Sequence, residues 1–181
     1  MASSLFLPAN ELIVQYAHSH RDRRNIATHL IGVPMIVFGL GVLMARAHLG
    51  PGDPGLTLAW LVWGLATIWY MSRGHLLLGL TVSLANAVLI ALAHLVSGGS
   101  TSQWLGWALG FFVIGWIIQF IGHYYEGKKP AFADDLVGLL VGPMFVSAEA
   151  LFAMGMARPL LHEVERRAGP TVLRDLAHPV A

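Results

Sequence analysis

Residues 15–34 read QYAHSHRDRRNIATHLIGVP, three histidines and three arginines running directly into an apolar segment. His20 and His29 are nine residues apart. At about 100° per residue, one continuous helix would place them on opposite sides. They share a site only if the helix breaks between them. RDRRN supplies such a break, and Asn25 is the expected cap of the helix that follows. The preceding residues, 10–20, read as a short amphipathic helix. Asn10 is its expected cap, and Leu12, Ile13, Tyr16 and Ala17 share one face. The same N-terminal stretch is not expected to act as a cleavable leader. No basic residue precedes its apolar part, and no small-residue cleavage site follows.

Working outward, the apolar character continues. Of 181 residues, 56% are hydrophobic and 12% charged, where a soluble domain carries about 25% charged residues. Four blocks, 26–47, 56–71, 76–96 and 104–122, approach or reach the roughly 20 apolar residues of a membrane span. Trp60, Trp69, Tyr70, Trp104, Tyr124 and Tyr125 lie near block ends, as an interfacial aromatic belt would. A fifth block, 136–156, contains Gly142-Pro143 and Glu149. It is expected to form a re-entrant or broken hairpin kinked at Pro143. The tail, 158–181, is polar. The expected fold is all-α, a single integral membrane helical bundle with four spanning helices, the broken fifth segment and the short N-terminal helix.

Orientation follows from the basic residues. Arg21, Arg23 and Arg24 precede the first span, Arg73 follows the second, and Lys128 and Lys129 follow the fourth. All fall on one side, the cytoplasmic one. Arg158, Arg166, Arg167 and Arg174 join them if the fifth block does not cross. His18, His20, His29, His75 and His123 then converge on the cytoplasmic face. This is the inner membrane in a bacterium, or the endoplasmic reticulum in a eukaryote. His48 and His94 lie on the opposite side, and His162 and His178 in the tail.

The chain has no cysteine, which excludes disulfides, thiolate chemistry, zinc ribbons and iron–sulfur clusters. The net charge is +1 and no basic run is interleaved with aromatics, so no nucleic-acid partner is expected. Any metal must be held by His, Asp, Glu or backbone oxygen. Imidazole is the commonest metal ligand, and ionisable groups within membranes mark functional sites. A histidine at a helix end is also an ordinary interfacial or capping residue, the reading given to His48, His94, His162 and His178. For His20, His29 and His123 both readings stand on the residues alone. Gln119 lies one turn before His123 and Glu126 one turn after it. The HxxHH and HxxxH boxes of membrane desaturases and the HExxH of zincins are absent. Three classes stay open: a metal enzyme, a haem cytochrome with paired axial histidines, and a transporter or structural membrane protein. A transporter would string polar groups across the bilayer, whereas here they gather at one face. Iron and zinc are not separated by nitrogen ligands alone.

Tyr16, His20, Asn25, His29 and Pro34, followed downstream by QFIGHYYEGKKPA (119–131) and DDLVGLLVGPMF (134–145), resemble the membrane 2-hydroxy fatty acid dioxygenase family. The resemblance covers roughly residues 10–157. It rests on Gln119, Gly122, His123, Glu126 and Pro130 in the second stretch, with Asn86 the one polar match between. It implies an iron(II)-dependent dioxygenase of the membrane. Such an enzyme takes a 2-hydroxy fatty acid and O₂ and yields the acid one carbon shorter. His20, His29 and His123 are the implied iron ligands and catalytic residues, with His18, His75 and Glu126 as further candidates. Tyr16, Asn25 and Gln119 are candidates for orienting the imidazoles. Arg24, Asn86 and Lys128 are candidates for binding substrate, and Arg21 for drawing its carboxylate in.

Overall fold

The structure is a computed structural model that describes residues 4–50, 55–128 and 137–175. Expectations resting on Lys129, Pro130 and His178 lie outside these residues. Among the described residues, a 3-10 turn at Ser4–Phe6 is followed by seven helices: α1 (Ala9–Ala17), α2 (Arg23–Ala45), α3 (Leu58–Met71), α4 (Leu76–Val96), α5 (Thr101–Glu126), α6 (Val137–Ala153) and α7 (Arg158–Ala168). Among the described residues there is no strand, only two isolated bridges, Asp22 with Val172 and His48 with Thr57.

Helices α2, α4 and α5 are long and apolar enough to cross a membrane. With 23, 21 and 26 residues they run about 32–39 Å at 1.5 Å per residue, past the roughly 30 Å of a hydrocarbon core. Their outward faces are aliphatic: Leu80, Leu84, Val88, Leu92 and Leu95 form an exposed stripe along α4. In water such a stripe would be a liability; in lipid it is the ordinary surface.

Two expectations are refined. The second block gives a shorter helix than the others, because α3 has only 14 residues, about 21 Å, though it still carries the chain from one end of the bundle to the other. Its first two residues are spent on the turn, where Leu49 N–H donates to the Leu56 carbonyl and Leu58 N–H to that of Ala47. The fifth block does belong to a broken helix pair, as expected, but the break is not at Pro143. Helix α6 runs through this proline, as α2 runs through Pro34. Val141, Met144, Phe145 and Ala148 are buried around it, and that packing offsets one lost hydrogen bond. The break falls later, where Gly155 (φ 75°) and Ala157 (φ 50°) take left-handed backbone and α7 leaves α6 at 113°. α7 is amphipathic. Leu160 and Val164 are buried, and Arg167 pairs with Glu11 of α1 at 2.6 Å.

Helix α2 packs most extensively on α5. A Cβ on Gly32 would stand 2.7 Å from the Gly115 carbonyl oxygen, and one on Gly115 2.8 Å from that of Gly32. Lipid supplies no hydrophobic drive between helices, so small residues that let backbones touch take over that role. The pair is antiparallel, so the start of α2 meets the end of α5.

This pairing fixes sidedness, and it can be tested directly because the chain has no cysteine. Lys128 donates to the His18 carbonyl at 2.7 Å and Arg73 to that of Leu5 at 2.9 Å, at one end of the bundle. Arg46 reaches the Ser97 carbonyl at 2.7 Å at the other. Single-cysteine variants Lys128→Cys and Ser72→Cys are expected to react with an impermeant maleimide from one side of the membrane, and Gly98→Cys from the other. Labelling of Lys128→Cys and Ser72→Cys from opposite sides would contradict the packing.

Candidate metal centre

The break between α1 and α2 spans residues 18–22. Pro8, not Asn10, occupies the cap position of α1, without a side-chain cap bond. Asp22, not Asn25, caps α2 by accepting from Arg24 N–H at 2.8 Å. The Arg24 guanidinium grips the same carboxylate at 2.8–3.0 Å and holds its pKa down to about 2. Asn25 is drawn inward. Its amide donates to the Ser19 carbonyl at 3.0 Å and to Glu126 at 3.2 Å.

This turn folds His20 back over His29, and α5 brings His123 against both. Ring centroids are 4.5 Å apart for His20–His29, 4.9 Å for His20–His123 and 5.0 Å for His29–His123. His20 and His29 are fully buried and His123 is 6% exposed. One nitrogen from each ring lies within 4.8 Å of the others, and no further metal-competent group is present among the described residues.

The hydrogen bonds assign the tautomers. His20 Nδ1 lies 2.7 Å from the Tyr16 carbonyl oxygen and His29 Nδ1 2.9 Å from that of Asn25. A carbonyl only accepts, so both Nδ1 atoms carry the hydrogen. In the neutral rings each Nε2 is then a bare acceptor, and these two acceptors stand 3.1 Å apart. Nδ1 of His123 is buried with no partner. Burial, and then the neighbouring His29, hold the His20 imidazole far below its ordinary pKa, in the neutral form that binds metals. Buried acceptors facing one another cost free energy unless a cation or proton lies between them. A separation near 3 Å suits two ligands of one ion at bond lengths of about 2 Å. The residues present therefore fit a metal held by His20, His29 and His123.

The loop carrying His20 is fastened from several directions. Glu126 Oε2 accepts from the N–H of Arg21 at 2.9 Å, of Asp22 at 2.7 Å, and from Asn25. Its other oxygen faces the Arg174 guanidinium at 2.9 Å. Arg21 is buried and pairs with Glu149 of α6 at 3.0 Å. The segment after α7 lies across the loop. Val172 N–H donates to the Arg21 carbonyl at 2.8 Å, Arg23 N–H to the Val172 carbonyl at 2.9 Å, and Arg174 N–H to Asp22 at 2.9 Å.

Of the remaining candidates, Tyr16 stacks on His20, centroids 4.1 Å apart and planes within 8°. It orients that imidazole through its carbonyl, and Asn25 does the same for His29 through its carbonyl rather than its side chain. Gln119 is buried beside Gly32 and lines a cavity described below. The group does not include His18, which is exposed. Nor does it include His75, whose ring caps α4 by accepting from Leu78 N–H at 3.3 Å. Glu126 is spent on the loop backbone and bonds no imidazole. The Arg24 charge is committed to Asp22 and stacks over Tyr125 at 4.4 Å. Lys128 holds the His18 carbonyl, and Asn86 is half-buried on α4 and not part of the group. Arg21 is bound to Glu149. Sequence reasoning missed Phe145, packed 5.0 Å from Tyr16 and 5.3 Å from His20. It also missed the strap of Val172 and Arg174. Phe145 lies in the GPMF stretch already quoted; nothing in the sequence signals the strap.

Beside the histidines, between α2, α5 and α6, lies a cavity of about 330 Å³ with an almost wholly apolar lining. Tyr16 and Gln119 are its polar members.

A helical bundle with membrane-crossing helices, three buried imidazoles at one end and an apolar cavity beside them defines a membrane protein with a candidate metal centre. Comparison with known families places it further. Residues 6–154 match the Mpo1-like family, described as 2-hydroxy-palmitic acid dioxygenase Mpo1-like, and the chain belongs to this family. It is 31% identical over 157 residues to the 2-hydroxy-palmitic acid dioxygenase MPO1 of Saccharomyces cerevisiae, covering 83% of this chain and 86% of that protein. No solved structure matches. The family match ends at residue 154, so α7 and the strap lie beyond it.

Proposed function

We propose that this protein is an iron(II)-dependent dioxygenase that removes the carboxyl carbon of long-chain 2-hydroxy fatty acids. The observation that carries the metal is the pair of Nε2 acceptors 3.1 Å apart, each with its Nδ1 committed to a carbonyl. Family membership carries the reaction class and substrate. His20, His29 and His123 would hold the ion. Iron(II), when bound, supplies the one-electron chemistry that ground-state O₂ requires, with positions left open beyond three imidazoles. The chain does the rest. Tyr16 and Asn25 fix two imidazoles through their carbonyls. Burial of the three rings excludes bulk water. Tyr16 and Gln119 offer polar groups to the acid's head, and the apolar lining beyond them takes its tail. The site faces the cytoplasmic side, by the distribution of Arg21, Arg23, Arg24 and Lys128.

The balance is R–CH(OH)–COOH plus O₂ giving R–COOH, CO₂ and water. An unsubstituted acid lacks one oxygen atom and would need two further electrons removed, so a single O₂ cannot complete its shortening. Purified protein is expected to shorten 2-hydroxyhexadecanoic acid in an O₂-dependent way, and to show at least about 10²-fold less product from hexadecanoic acid. Metal analysis of the same sample should find iron. Equal turnover of both acids, or full activity with zinc alone, would sink the reading. A haem cytochrome is disfavoured by geometry, since three rings packed at 4.5–5.0 Å leave no slot for a porphyrin plane.

A further inference from the structure

We propose that the cavity between α2, α5 and α6 is the slot for the substrate's alkyl chain, and that Gly142 is its specificity-determining residue. The identity of the occupant rests on the function proposed above. The polar members of the lining, Tyr16 and Gln119, mark the end nearest the histidines: Tyr16 stacks on His20, and Gln119 stands one turn from His123 on α5. From there the lining follows α2 through Val33, Ile36 and Val37 to Leu40. That is seven residues, about 10 Å. Leu40 and, on α6, Leu139 are exposed at 38% and 47%, on a chain whose outer faces meet lipid. The slot therefore opens sideways into the bilayer. A polar head at the imidazoles and an apolar tail leading to lipid is the arrangement an amphiphilic acid requires. A long chain outruns 10 Å, so its end projects into the membrane.

Gly142 stands where the slot begins. A Cβ there would lie 3.4 Å from the Tyr16 hydroxyl and 3.9 Å from Val33 Cγ2. Both are ordinary contacts, so the fold tolerates a side chain at 142. What a larger one occupies is the cavity itself. Gly142→Ala narrows the entrance, and Gly142→Leu fills it.

The test compares wild type, Gly142→Ala and Gly142→Leu on 2-hydroxybutanoic and 2-hydroxyhexadecanoic acids. Gly142→Leu is expected to lose at least about tenfold in kcat/KM on the long acid, with Gly142→Ala between it and wild type. The readout is the ratio of kcat/KM on the long acid to that on the short acid, which should fall, while bound metal is retained. Leu40→Trp, at the lipid-facing mouth, provides a second obstruction that does not load the core, and should also impair the long acid selectively. A readout independent of turnover is photolabelling with a 2-hydroxy acid bearing a diazirine in mid-chain. Label should map to α2 between Val33 and Leu40 and to α6 near Leu139, and disappear in Gly142→Leu. Label on the outer face of α4 instead, or label and long-acid turnover that survive both obstructions, would overturn the slot. Label in the slot of a wild-type protein that consumes no 2-hydroxy acid would uphold the slot and overturn the dioxygenase.

Discussion

A His123→Ala protein is expected to bind no iron and turn over no 2-hydroxy acid while still inserting and folding, and His20→Ala and His29→Ala are expected to behave alike. The loss should exceed about a hundredfold, since even residues that merely orient metal-binding imidazoles cost 10–100-fold when replaced. Folding survives for a reason visible in the hydrogen bonds. Without an ion, the Nε2 atoms of His20 and His29 oppose each other at 3.1 Å and Nδ1 of His123 has no partner. Beyond its packing and the two Nδ1–H bonds to the Tyr16 and Asn25 carbonyls, the trio contributes little to the metal-free fold. Binding to the native state alone stabilises that state by mass action. Iron should therefore raise the Tm of wild type, chelator should reverse the rise, and the rise should vanish in each variant. His48→Ala and His94→Ala provide the comparison. His48 is exposed, and His94 bonds the Ile90 carbonyl and Thr57 at the far end of the bundle. Both variants should keep iron and activity. A His123→Ala protein with full iron and full turnover would show that the three imidazoles are not the metal site.

The convergence of these rings was legible because it follows from arithmetic on the chain. A separation of nine residues between His20 and His29 demands a break, the break is rich in polar residues, and four apolar blocks return His123 to the same side. Which residue caps the new helix was not legible. Asp22 and Asn25 are both good caps, and the choice turns on Glu126, 101 residues beyond Asn25. Glu126 itself looked like a ligand from its spacing to His123. One helical turn is also the spacing that sets a carboxylate over the neighbouring loop, and only the tertiary fold separates the two. The α2–α5 seam was written in the sequence as small residues seven apart, Gly32 facing Gly115 and Gly39 facing Ala108, with Gly122 against Asn25 and Thr28. Hydrophobicity alone hides that signal, because glycine neither marks nor interrupts an apolar block in lipid. The length of α3 and the passage of α6 through Pro143 depended on turn pairing and packing, which no local pattern reports.

Glu126→Ala is expected to destabilise the protein and release the metal together, which no single histidine substitution should do. The carboxylate is fully buried. It accepts from two backbone N–H groups and the Asn25 amide, and it faces Arg174. Truncation leaves three donors without acceptors, at roughly 1–3 kcal/mol each, though donors sharing one acceptor are not additive. It also leaves Arg174 unpaired, but that side chain is 36% exposed, so water recovers much of the loss. A total of about 3–5 kcal/mol follows, the range for breaking a buried pair from one side. The freed groups are the turn that aims His20, so iron affinity should fall by about 10–100-fold. Glu126→Gln separates the two effects. Its carbonyl keeps the loop donors, while its amide turns a donor toward the Arg174 guanidinium and loosens the strap. That variant should retain most iron binding and lose a fraction of the stability. Arg174→Ala should resemble it, leaving the loop bonds in place and one carboxylate oxygen unpaired. Denaturation curves and iron titrations on the three variants read these terms separately. Glu126→Ala with wild-type stability and wild-type iron affinity would mean that the loop holds its shape without the carboxylate, and that His20 is aimed by the Tyr16 stack and carbonyl alone.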